Sequence, residues 1–87
     1  MQQRRKAAAL KYEENYEAPV VTAAGMGQIA ENIIERAEAK KVPIVYNKEL
    51  TDLLCNVDIG DSIPSELYEA VAQVIAYITD LDRLIER

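Results

Sequence analysis

The sequence contains no histidine, no tryptophan and no phenylalanine, and it has a single cysteine. Without histidine the usual general base of acid–base catalysis and the commonest zinc ligand are both missing. With Cys55 alone there is no intramolecular disulfide and no cysteine-rich metal site. A lone thiol fits a reducing compartment. No apolar run approaches the ~18–20 residues that a membrane-spanning helix requires, so membrane insertion is not expected. The basic start is followed only by the short Ala7–Leu10 run, which is too little for a signal peptide.

What remains reads as one small domain of 87 residues, 49% apolar and 29% charged, a globular composition rather than a disordered one. Residues 1–6 form a basic tail, and residues 7–87 are a single folded unit. A chain of this size buries roughly 60–65% of the surface its unfolded form exposes, so its core is thin. The net charge of −5 conceals an asymmetry. Arg4, Arg5, Lys6 and Lys11 precede every acid, and the rest of the chain carries six bases against fifteen acids. An acidic body argues against a general nucleic-acid surface, since phosphate binding needs clustered cations, and no nucleic-acid partner is expected.

Along the chain, Ala7–Tyr12 reads as a strand and Glu13–Ala18 as a turn. Pro19 opens a second strand over Val20–Thr22, at the position where a missing N–H does least harm. A helix follows over Met26–Lys40, with Met26, Ile29, Ala30, Ile33, Ile34 and Ala37 at helical spacing. Val42–Tyr46, "VPIVY", reads as a third strand. Asn47 is placed to cap a short helix, Lys48–Cys55, with Leu50, Leu53 and Leu54 inward. Gly60 suits a special backbone angle, and Asp61 or Ser62 a cap. From Pro64 to Arg87, Leu67, Val71, Val74, Ile75, Ile78, Leu81 and Ile85 make one apolar stripe. The expectation is an α/β (α+β) fold, a small three-stranded sheet packed with about three helices.

Gly25, Gly27 and Ala30 fall at the spacing of a dinucleotide-binding turn. The acid that would hold the ribose is missing, because the strand after the helix ends at Tyr46 and Asn47. A second mononucleotide half is also absent. The plainer reading is that the glycines let the chain leave a strand and start a closely packed helix. Cys55 has no base beside it, and Ser62 and Ser65 flank a helix start. Acidic pairs such as Asp58 and Asp61 lack the ligand density of a calcium loop. No catalytic residue, cofactor or metal site is expected, and the chain is not read as an enzyme.

The blocks "ALKYEENYEAPVVTAAGMGQIAENI", "VPIV" and "VDIGDSIPSELYEAVAQVIAYI" resemble the C-terminal cytoplasmic domain of the FlhB family, the export-switch components of bacterial flagellar and type III secretion systems. The last block is the most specific. The resemblance covers about Ala7 to Ile78, and the family carries a similar glycine turn with no nucleotide implied. Two departures stand out. The family's multi-helix membrane domain is not in this sequence. Its self-cleaving Asn-Pro-Thr-His motif is replaced by Gln2-Gln3-Arg4-Arg5, so no autocleavage is expected. The chain thus looks like the small stand-alone FlhB-like proteins.

The resemblance implies a binding module in the cytoplasm, peripheral to the export apparatus at the inner membrane. Its partners would be export-apparatus proteins or secreted flagellar substrates. It also implies an apolar recognition patch, matched here by Ala18, Pro19, Ala72 and Ile75. Of these, Ile75 also lies on the core stripe, which leaves Ala18 and Pro19 as the better surface candidates. The alternative is a general interaction module no longer tied to secretion. In that reading "TDLDRLIER", with Leu81, Leu84 and Ile85 apolar, makes the last helix a self-association surface.

Overall fold

The structure, a computed structural model, describes residues 5–85, with side chains to Thr79. Gln2 and Gln3, which carry the cleavage expectation, lie outside the described residues, and so do the side chains of Leu81, Leu84 and Ile85, which carry the self-association expectation. The order is β1 (Lys6–Lys11), β2 (Val20–Met26), α1 (Gln28–Ala39), α2 (Lys48–Leu54), a 3-10 turn at Ser65–Leu67, and α3 (Tyr68–Ile85). The fold is mixed α+β, as expected.

β1 and β2 pair antiparallel, with Lys6 opposite Met26 and Lys11 opposite Val20. The register shifts between Ala9 and Leu10, which face Ala23 and Val21, so Thr22 is the extra residue of a bulge. Its hydroxyl donates to the Ala9 carbonyl at 3.3 Å. The bulge has a packing consequence. Val21 and Ala24 are three residues apart and would face opposite sides of a regular strand, yet both meet the same core. The outer edge of β2 is closed by the 60–63 loop. Gly60 donates to the Val21 carbonyl at 2.7 Å, Val21 to Asp61 at 3.0 Å and Ile63 to Pro19 at 2.9 Å. Gly60 takes the positive φ expected of it, 96°.

The third strand does not form: among the described residues the sheet has two strands, and Val42–Tyr46 is extended chain without ladder bonds. The end of α1 supplies a reason. Lys41 takes φ 60°, its N–H donates to the Glu38 carbonyl, and the Val42 N–H donates to Ala37 at 2.8 Å. This is a Schellman close with lysine in the place usually held by glycine. Val42 is thereby tied back to α1, and Pro43 next to it has no N–H to offer a neighbour. Between this segment and β1 lies an apolar trough lined by Ile33, Ile34, Val74 and Ile78.

Asn47 caps α2 as expected, its side chain accepting the Leu50 N–H at 3.1 Å. Leu50 and Leu54 are buried, whereas Leu53 faces out. At the start of the last helical segment neither Asp61 nor Ser62 caps. Pro64 stands at the N-cap and Ser62 instead bridges to Val20. Lys6 and Lys48 hold Asp52 between them at 3.2 and 3.3 Å, tying α2 to β1. Hydrogen bonds first from Lys6 and then from Lys48 keep that carboxyl below its ordinary pKa.

The core joins Ala18, Val21, Leu50, Leu54, Ile63, Leu67 and Val71. It contains no buried polar or charged residue among the described residues. Of the expected stripe on α3, Val71 is fully buried and Val74 and Ile75 pack at the core's margin.

Candidate functional site

At one end of β1 and β2 the chain turns through Glu13–Glu17, and the first turns of α3 lie beside that turn. Between them is a cleft of about 260 Å³. Ala18 and Pro19, where the chain enters β2, form part of its floor, and Ile75 forms another part. Tyr68, Ala72 and Ala76 contribute from α3. Their spacing of four residues sets them one above the other on a single helix face. Tyr12, just past the end of β1, and Glu17 complete the rim.

The structure thus brings Ala18, Pro19, Ala72 and Ile75 to one place, although 53 residues separate the first pair from Ala72 in sequence. For Ala18 and Pro19 exposure runs opposite to the sequence expectation, while Ile75 keeps the core contact expected of the stripe. Ala18 is buried at 5% and Pro19 is also buried, whereas Ala72 is exposed and Ile75 is half-buried. Pro19 accepts the Ile63 N–H at its carbonyl, and this bond draws the start of β2 under the loop and out of solvent. Small side chains explain the rest. Alanine at 72 and 76 leaves a depression where a larger residue would fill it.

Sequence reasoning missed Tyr12, Glu17, Tyr68 and Ala76. The signal was present for two of them, since Tyr68 and Ala76 extend the Ala72 spacing by one turn in each direction. Tyr12 and Tyr68 keep about half their surface open, at 51% and 48%. No signal marked Glu17.

The electrostatics are one-sided. Lys11 pairs with Glu13 at 3.3 Å, and the hydrogen bond its ammonium donates to that carboxylate, ahead of the carboxylate's charge, holds the ammonium above its ordinary pKa. Glu17 has no ion-pair partner among the described residues. Chemically the cleft presents an apolar floor, two tyrosine rings and the Glu17 carboxylate. No helix among the described residues is long and apolar enough to cross a membrane.

Comparison with known proteins places the chain among others of its kind. Residues 4–78 match the FlhB HrpN YscU SpaS Family. The chain is 41% identical over 83 residues to the Bacillus subtilis protein YlqH, covering 94% of this chain and 89% of that one. It is 46% identical over 74 residues to the flagellar biosynthetic protein FlhB of Aquifex aeolicus, covering 83% of this chain but only 21% of the relative. The chain therefore spans about a fifth of the FlhB relative's length. The crystal structure of the cytoplasmic domain of FlhB from Shewanella putrefaciens superposes with a TM-score of 0.87 at 32% identity, covering 93% of this chain and 68% of that one.

Proposed function

Because this chain belongs to the FlhB HrpN YscU SpaS family, we propose that it is a non-enzymatic docking module of the flagellar or type III protein-export apparatus. It works by presenting the cleft around Ala18, Pro19, Ala72 and Ile75 to export-gate components or export substrates. One observation carries this reading. The four residues that the family resemblance assigns to recognition share one concave apolar surface, although they come from opposite halves of the chain. A small domain leaves such a surface open at a cost in burial, which is intelligible if a partner covers it for part of the time.

Ala72 is the clean position for a test because it is exposed and lies outside the core. Ala72→Asp places a carboxylate at the centre of the contact without disturbing the fold. The expected result is a loss of about tenfold or more in affinity for an export-gate component in a pull-down or interferometry assay. The thermal melt stays where it was. Unchanged binding would exclude this surface as the contact. Loss of the gene in a flagellated host should alter hook or filament assembly.

The absence of chemistry is also testable. Asparagine cyclisation, the family's cleavage reaction, needs an asparagine followed by proline, and this chain has Gln2-Gln3 there. Purified protein kept for days at neutral pH should retain its full mass of 9.8 kDa by mass spectrometry. A defined fragment in the spectrum would mean that some other bond is cut.

A further inference from the structure

We infer that the cleft takes a short unfolded segment in which one bulky apolar side chain stands next to arginine or lysine. This rests on the docking reading above and adds the chemistry of the occupant. The depression over Ala72 and Ala76 is a single small cleft of about 260 Å³, which suits one apolar anchor rather than a helix face. The rim then asks for a cation. Glu17 lines the cleft and is exposed, with no ion-pair partner among the described residues. Glu14, three residues earlier in the turn, and Glu66 and Glu69, close to Tyr68 in sequence, are exposed as well, while Glu17 is the acid that lines the cleft itself.

The cation nearest in sequence, Lys11, is already paired with Glu13, and after it the chain has no base before Arg36. The half-open rings of Tyr12 and Tyr68 add to this, because a tyrosine face attracts a guanidinium or ammonium. Arginine fits better than lysine, since its flat fork can stack on a ring while donating to a carboxylate. An acidic segment would meet uncompensated repulsion from the same rim. The surface thus discriminates by charge as well as by shape.

The test uses the full chain and short Gly/Ser peptides that carry Arg-Leu-Arg, Gln-Leu-Gln or Arg-Ser-Arg, titrated while backbone amide shifts are followed by NMR. The Arg-Leu-Arg peptide should shift Tyr12, Glu17 and Ala72 and bind about tenfold more tightly than Gln-Leu-Gln at low ionic strength. That advantage should fall to about threefold or less in salt near 0.5 M, as screening requires. Glu17→Gln should narrow the same gap. Equal binding of the Arg-Leu-Arg and Gln-Leu-Gln peptides overturns the inference and leaves the docking reading standing, because Ala72→Asp tests that reading with an export component. Equal binding of Arg-Leu-Arg and Arg-Ser-Arg overturns it too, since charge alone would then act without the cleft. Silence from every peptide also overturns it, and the docking reading falls as well only if Ala72→Asp leaves partner binding intact.

Discussion

Val71→Asp should abolish cooperative folding. Val71 and Val21 are the largest side chains with no solvent exposure, and both belong to the cluster that joins α3, α2 and the sheet. Nothing buried there can receive a carboxylate, because the core holds no polar residue among those described. An aspartate in that place must either stay charged without a partner or take up a proton at neutral pH. Placing an uncompensated charge in an apolar interior costs about 3–5 kcal/mol. Domains as a class are stable by only about 5–15 kcal/mol, and a small one lies toward the lower end.

Val71→Ala is the graded control. It removes buried methyl groups and should cost about 1–2 kcal/mol, lowering the urea midpoint with an unchanged slope. The two variants, followed by circular dichroism, make the link to function testable. Ala72 is positioned by its neighbour in the core, so loosening α3 opens the cleft even where the chain stays folded. A Val71→Asp protein that melts cooperatively at the original midpoint would show that α3 is not held to the sheet through this residue.

How far the fold was legible depended on whether local signals and tertiary demands agreed. Asn47 was readable because a cap is a local event: one side-chain oxygen and one N–H three residues later. The described part of the last helical stripe, Leu67, Val71, Val74 and Ile75, was readable because its helical period persists over many residues. The "VPIVY" segment failed for the opposite reason. Its β-branched composition suits a strand, but strand pairing needs a neighbour, and the Schellman close at Lys41 turns the chain back toward α1 first. Leu53 failed for a different reason: with Leu50 and Leu54 it keeps the i, i+3, i+4 spacing of one helix face, but it sits at the margin of that face, and tertiary packing covers only Leu50 and Leu54.

The candidate site shows the same division. Its four residues could be named only through a family resemblance, because no spacing within the chain joins Ala18 to Ala72. Which of them meets solvent was decided by the hydrogen bond between Ile63 and Pro19, a contact 44 residues apart in sequence. Glu17, on which the charge preference turns, looks in the sequence like any other acid in an acidic turn.

Gly25→Ala and Gly27→Ala should both destabilise the domain, for unrelated reasons that one further substitution separates. Gly27 caps α1 at φ 63° and ψ −128°, a region that side chains on L-residues strongly disfavour. Its N–H donates to the Arg5 carbonyl at 2.8 Å and its carbonyl accepts the Glu31 N–H at 3.0 Å, so the conformation is fixed from both sides. Alanine there carries backbone strain of about 1–3 kcal/mol. At Gly25 the obstacle is space. A Cβ would overlap Ile29 Cγ2 and lie 2.9 Å from Ile29 Cβ, which is fixed to the helix and cannot rotate away. The strand and α1 must then part slightly, at about 1–3 kcal/mol.

Ile29 is exposed, so Ile29→Ala alone changes stability little, and it removes the Cγ2 that meets the new methyl group. Combined with Gly25→Ala it should recover part of the loss, and combined with Gly27→Ala it should recover none. Denaturation of the two double variants against their parents gives the answer, and equal recovery in both would mean that crowding alone explains the pair. The same two glycines carry the spacing of a dinucleotide turn. Close packing of a strand on a helix and one left-handed cap account for both without any phosphate. Adding NAD or ATP to the parent protein should accordingly leave its melting temperature unmoved, and a saturable rise would return the turn to the nucleotide-binding class.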